Sequence, residues 1–209
     1  MYLTDRDIKW AIENGDLIIR PFPETIDPTS VDLHLDSINE AKIWNVDSFL
    51  EKQRHHGIAQ PELRIAKYNL QQFGKDYLIE PPEYEPENAD QKVGKRGSEV
   101  ILKPGGFLLW TTKEVVGTPS NNADLICFVD GKSTRARAGI VVHLTAPTIH
   151  SSWEGKVTLE IANLGPFFII LQEGDAIAQL TVARVTNPPD RTMAAKSVTY
   201  KQRDVSGAK

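Results

Sequence analysis

The chain has 209 residues, a formal net charge of -4 and one cysteine. That length suits one domain around one core, and the lack of a global basic field argues against duplex nucleic acid as a partner. Cys127 alone cannot form an internal disulfide, which fits a reducing compartment, and neither the charged N-terminus MYLTDRDIKW nor any later run supplies the ~20 apolar residues of a membrane helix. A soluble cytoplasmic protein is expected, with no membrane or nucleic-acid partner.

Thr4 followed by Asp7 marks a helix start, Ile8, Ala11 and Ile12 recur at helical spacing, and Gly15 stops the run. DLIIRPF reads as a strand closed by prolines. In SVDLHLD, Val31, Leu33 and Leu35 alternate with Asp32, His34 and Asp36, the period of a half-buried strand. His34 falls on the polar face, as a solvated or hydrogen-bonded strand histidine. Residues 45–98 are charged and proline-bearing, and are expected to form an inserted excursion of exposed loops with one or two short strands or a helix near ELRIAKYNLQQF, without a second core. His55 and His56 are adjacent, so no regular element points both one way, which argues against a metal site there.

After Gly97 come short apolar runs separated by turn signals: GFLLWTT, DLICFV, IVVHLTA, KVTLEIAN, FFIILQEGD and AIAQLTVARV. This series predicts an antiparallel, mainly β barrel or jelly roll, and excludes a doubly wound α/β fold because no long helices alternate with the strands. Cys127, inside DLICFV, reads as core. Residues 187–209 are polar and read as a flexible C-terminal tail able to close over a site.

Two stretches carry candidate chemistry. GKSTRAR sets the hydroxyls of Ser133 and Thr134 beside Lys132, Arg135 and Arg137, a set that holds phosphate oxygens or simply decorates a surface turn. It is no Walker loop, because the GxxxxGK[ST] spacing is missing. In VTLEIA, Glu160 shares a face with Thr158 and Ala162, either as a general acid and base at a barrel mouth or as a solvated strand glutamate.

The run 131–179 resembles the dCTP deaminase branch of the trimeric dUTPase superfamily, which carries G[RK]SSxAR, VHxTAxxIDPGWxGxxxLExxNxG and PGxxIxQL. The matching residues are Gly131, Lys132, Ser133, Thr134, Ala136 and Arg137, then Val142, His143, Thr145, Ala146, Ile149, Trp153, Gly155, Leu159, Glu160, Asn163 and Gly165, then Gly174, Ile177, Gln179 and Leu180. LTDRDI and SVDLHL are similar to the family's opening.

The resemblance implies a single dUTPase-like domain over 1–209, a distorted β-barrel or jelly roll with a short N-terminal helix, assembled as a homotrimer with sites shared between subunits. It implies deamination of dCTP to dUTP and ammonia without zinc. Independently, the zinc deaminases need an HxE and PCxxC set that one cysteine cannot supply. By resemblance Glu160 is the general base, while Ser133 and Arg137 position the water and the base edge, Arg137 from a neighbouring subunit. Lys132, Ser133 and Thr134 contact phosphates carrying Mg²⁺, and the backbone at Leu144, Thr145 and Ala146 reads the pyrimidine. His150, Trp153, Gln179, Tyr200 and Lys201 complete the expected nucleotide contacts.

The chain departs from the pattern at named places. IDPGW is here Ile149, His150, Ser151, Ser152 and Trp153, so a histidine replaces the aspartate that in the dUTPase relatives helps activate the hydrolytic water. This disfavours dUTP hydrolysis and leaves a bifunctional deaminase and diphosphatase, or a dUTPase, as the alternative. A non-catalytic nucleotide-binding regulator is the third reading. Lys132 keeps the charge of the usual arginine without its bidentate fork, Pro147 removes an amide donor, Arg135 stands where a hydrophobic residue is usual, and YKQRD does not keep the spacing of the tail signature.

Overall fold

The computed structural model describes residues 1–65, 69–121 and 123–189. Helix α1 (Asp5–Glu13) begins as the sequence predicts, with the Asp7 carboxylate accepting from the Thr4 hydroxyl (2.8 Å) and the Thr4 N–H (3.1 Å). Ile8 and Ala11 are its buried face, and Gly15, at φ 75°, takes the chain out of the helix in a conformation that disfavours other residues.

The strands then follow as β1 (Ile18–Arg20), β2 (Val31–His34), β3 (Ile43–Trp44), β4 (Leu78–Ile79), β5 (Val93–Arg96), β6 (Glu99–Leu102), β7 (Phe107–Gly117) and β8 (Leu125–Gly131). After helix α4 (Ser133–Ala136) come β9 (Ile140–Val141), β10 (Thr148–Ile149), β11 (Glu154–Asn163), β12 (Ile169–Gln172) and β13 (Ala176–Arg184). Two four-stranded antiparallel sheets dominate, in the orders β1-β7-β11-β9 and β10-β8-β13-β2. A three-stranded sheet, β12-β6-β5, and the pair β3-β4 complete the architecture, which is mainly β as expected.

Both large sheets feed one apolar core. Leu33, Cys127, Leu180 and Val182 enter from one sheet, Ile19, Trp110, Leu159 and Ile161 from the other, and Ile8 from α1. The alternation in β2 is the cause at that strand: Val31 and Leu33 are buried while Asp32 and His34 are half-buried on the other face. Where the sheets meet, the buried Glu114 carboxylate accepts from the His34 N–H (2.9 Å) and lies 2.7 Å from His34 Nδ1. His34 is thus the hydrogen-bonded strand histidine the pattern suggests.

The excursion is more ordered than its composition suggests. Helices α2 (Val46–Arg54) and α3 (Leu70–Tyr77) pack Phe49, Phe73 and Tyr77 into a small second apolar cluster, with Trp44 against it. The Phe49 ring meets those of Phe73 and Tyr77 edge to face, with centroids 5.1 and 5.3 Å apart. Buried Gln53 substitutes for a strand, donating to Glu62 O (2.8 Å) and accepting from Glu62 N–H (2.9 Å). Four aromatic residues spread over 34 positions give no periodic signal, so the cluster is invisible until the helices pair. The end of the excursion is β5, a strand of the three-stranded sheet. Among the described residues no helix is long and apolar enough to cross a membrane.

Candidate active site

The GKSTRAR segment does not stay a turn. It folds as α4, with Lys132 as its N-cap and Arg137 as its C-cap. Its exit is set by a backbone contact: a Cβ on Gly139, at φ 91°, would lie 2.2 Å from Gly165 N, and one on Gly165 would lie 2.0 Å from Ala138 O. Leu164 N–H donates to Gly139 O at 2.8 Å, so the β11–β12 turn is held against the end of α4.

Glu160 sits half-buried on β11, opposite Leu109 of β7. Its Oε2 accepts the Leu144 N–H at 2.9 Å, and its own N–H donates to Val142 O at 3.1 Å. These two bonds explain a difference from the sequence expectation. IVVHLTA is a strand only at Ile140–Val141, because beyond it the backbone turns to serve the Glu160 carboxylate instead of a neighbouring strand. Leu144, Thr145 and Ala146 therefore lie on an exposed loop beside that carboxylate. One carboxylate oxygen is committed to an amide, and Oε1 has no hydrogen-bond partner among the described residues.

Gln179 lies on β13 between two aspartates, in register with Asp130 of β8 and Asp32 of β2. Asp32 is ion-paired with Lys132, and Asp130 Oδ1 is 3.9 Å from His143 Nε2. A polar row thus crosses three strands beside α4, with Lys132 at one end and His143 at the other. Sequence reading supplied Lys132 and Gln179 but not Asp32 or Asp130, because the row exists only through strand register.

Not every expected residue converges. Ser133 and Arg137 are exposed and make no side-chain hydrogen bond to Glu160 within the chain. His150 and Trp153 lie in the turn after β10, whose Ile149 pairs with Cys127, nearer the opposite end of β8 from α4. That turn is clasped to the β7–β8 corner: Ser151 Oγ donates to Leu125 O (2.6 Å), Ser152 N–H to Thr118 Oγ1 (2.6 Å) and Thr118 N–H to Trp153 O (2.9 Å). Tyr200 and Lys201, with the tail from 190 onward, lie outside the described residues. Among the described residues no group of three or more His, Cys, Asp or Glu side chains is arranged to hold a metal ion.

This architecture has a counterpart among solved structures. The crystal structure of 2'-deoxycytidine 5'-triphosphate deaminase from Agrobacterium tumefaciens superposes with a TM-score of 0.55 at 18% identity, covering 88% of this chain and 48% of that one. The two proteins thus share a fold. The family model described as dCTP deaminase-like matches residues 2–185. A dCTP deaminase of Haloarcula marismortui is 35% identical over 199 residues, 94% of this chain and 87% of that protein. A protein of Halobacterium salinarum named dCTP deaminase, dUMP-forming, is 34% identical over 194 residues, 91% and 84% of the two chains. The chain belongs to the dCTP deaminase-like family.

Proposed function

We propose that the protein deaminates dCTP, releasing dUTP and ammonia, as a cytoplasmic enzyme of pyrimidine deoxynucleotide metabolism. The observation that carries this reading is the Glu160 carboxylate, pinned through one oxygen to the Leu144 amide and open at the other. On this reading Oε1 takes a proton from water as the water oxygen bonds to C4 of the cytosine ring. The proton then passes to the departing nitrogen, the C–N bond breaks and ammonia leaves, while the proton of the new C4 hydroxyl moves to N3 as the C4 carbonyl forms. The loop amides and carbonyls at Leu144, Thr145 and Ala146 read the pyrimidine, and Ser133 and Arg137 place the water and the base. Lys132, Ser133 and Thr134 contact the phosphates, with His150, Trp153, Gln179, Tyr200 and Lys201 as further nucleotide contacts. Mg²⁺ enters on the triphosphate as part of the substrate; its donors are the phosphate oxygens.

A homotrimer with shared sites is part of this proposal. The turn leaning on α4 exposes Leu164 (75%), Phe167 (63%) and Phe168 (56%), an apolar surface a monomer would not leave to water. A second copy covering it would abut α4, where Ser133 and Arg137 await the Glu160 of another chain. Sedimentation at micromolar concentration is expected to give three chains per particle, and a monomer would refute this part.

The product is dUTP on the strength of His150, which offers no carboxylate where the dUTPase relatives use one. Several relatives carry the words dUMP-forming in their names, so dUMP with pyrophosphate is the competing outcome. The test is incubation with dCTP, and separately dUTP, with and without a chelator, following ammonia, pyrophosphate and nucleotides together. Ammonia without pyrophosphate is expected. Pyrophosphate from either nucleotide would make the enzyme bifunctional, and nucleotide binding without turnover would make it a regulator.

A further inference from the structure

On the nucleotide reading just given, phosphates dock on α4, yet Lys132 at the entrance of that helix is already engaged. Its Nζ is paired with Asp32 Oδ1, and the two side chains are only 24% and 27% exposed. Arg135 and Arg137, in contrast, form no ion pair among the described residues. Asp32 is not a roaming surface group. Buried Val31 and Leu33 flank it on β2, His34 next along is tied to Glu114, and the register fixes Asp32 opposite Gln179. The carboxylate is therefore set by the strand, and the flexible lysine stem comes to it.

We propose that Asp32 is an internal competitor of the nucleotide's phosphates for Lys132. An incoming phosphate oxygen must take the ammonium from Asp32 while lying close to a carboxylate that repels it, and when the nucleotide leaves, Asp32 recovers Lys132. Substrate and product carry the same phosphate arm, so an α4 entrance with nothing to replace that arm would hold both too long. Asp32 acts here through Lys132 as a positioning residue. Paired charges that are only partly exposed interact through an effective dielectric between that of water and that of the interior, so the competition is worth about tenfold in affinity.

Asp32→Asn keeps the shape and removes the charge. Calorimetry with inorganic tripolyphosphate, which needs neither cytosine nor turnover, is expected to show a dissociation constant about tenfold lower than that of the native protein. The inhibition constant of dUTP should fall with it, while Asp32→Glu stays near native. Asp32→Ser serves as a second neutral variant if Asp32→Asn unfolds. Adding Lys132→Met to Asp32→Asn should abolish the gain, because the freed ammonium is its source. A purely structural Asp32 would lower the melting temperature without tightening tripolyphosphate. Unchanged or weaker tripolyphosphate binding in a folded neutral variant, or none by the native protein at millimolar concentration, overturns the inference. Failure of the native protein to deaminate dCTP, with the tightening intact, overturns the assigned reaction and leaves the competition standing.

Discussion

Ser152 occupies φ 66°, and it is the one non-glycine residue among those described with a positive φ. Its hydroxyl is buried without a hydrogen-bond partner, although its N–H donates to Thr118 Oγ1 at 2.6 Å. The left-handed region costs an L-residue about 1–2 kcal/mol, and an orphaned buried hydroxyl about 1–3 kcal/mol more. Glycine removes both terms and loses about 0.5–1 kcal/mol to the greater freedom of the unfolded chain. The N–H bond to Thr118 belongs to the backbone and survives. Ser152→Gly, which restores the glycine of the IDPGW pattern, is therefore expected to stabilise the protein by about 1–4 kcal/mol, each kcal/mol raising the melting temperature by about 2–4 °C for a chain of this size. The assay is thermal unfolding at one fixed protein concentration, since the assembly proposed above would couple to the midpoint. A lower midpoint would mean that the Ser152 hydroxyl has a partner worth more than the strain, and would refute the reasoning.

Glu160→Gln keeps an oxygen for the Leu144 amide but no base, so nucleotide binding should persist while the deamination rate falls by about 10²-fold or more. An unchanged rate removes Glu160 from the chemistry. Mixing inactive Arg137→Ala and Glu160→Gln proteins should restore activity if sites are shared, and no recovery after verified subunit exchange would place the site in one chain. Burial pushes the Cys127 thiol up from 9.0 to about 12. The folded state therefore retains a proton that the unfolded chain loses above about pH 9, so stability should fall as pH rises past that point, with a shallower fall in Cys127→Ala. A slope identical in both proteins would exclude Cys127 as the cause. Asn163, fully buried, bonds Leu102 O (2.9 Å), Phe167 O (2.7 Å) and the Gly165 N–H (3.0 Å), so Asn163→Ala should cost about 2–4 kcal/mol in urea unfolding. A loss below about 1 kcal/mol would show that water replaces the amide.

The strands that alternate or run apolar were legible because burial writes itself into a period of two: Val31 and Leu33, or Leu159 and Ile161, need no partner to be recognised. The Thr4–Asp7 helix start was legible because both partners sit three residues apart. The second apolar cluster was not, since Phe49 and Phe73 meet only after two helices fold back on each other. For the candidate site, Glu160 and the basic turn stood out as charges in unexpected places. Asp32 did not, because an aspartate on the polar face of a strand is unremarkable until β13 sets Gln179 beside it. The loss of strand character after Val141 was also hidden, as nothing local says that the Leu144 amide will be claimed by a side chain sixteen residues away.

The contact between Gly139 and Gly165 leaves no room for a single added carbon on either residue. Arg137, two positions before Gly139, has no ion pair among the described residues, so the main chain fixes only where its side chain starts out. That starting point stays in place when side chains around it change. Substitutions at the exposed Leu164, Phe167 and Phe168 can thus leave that origin untouched, whereas one methyl group at either glycine would move it.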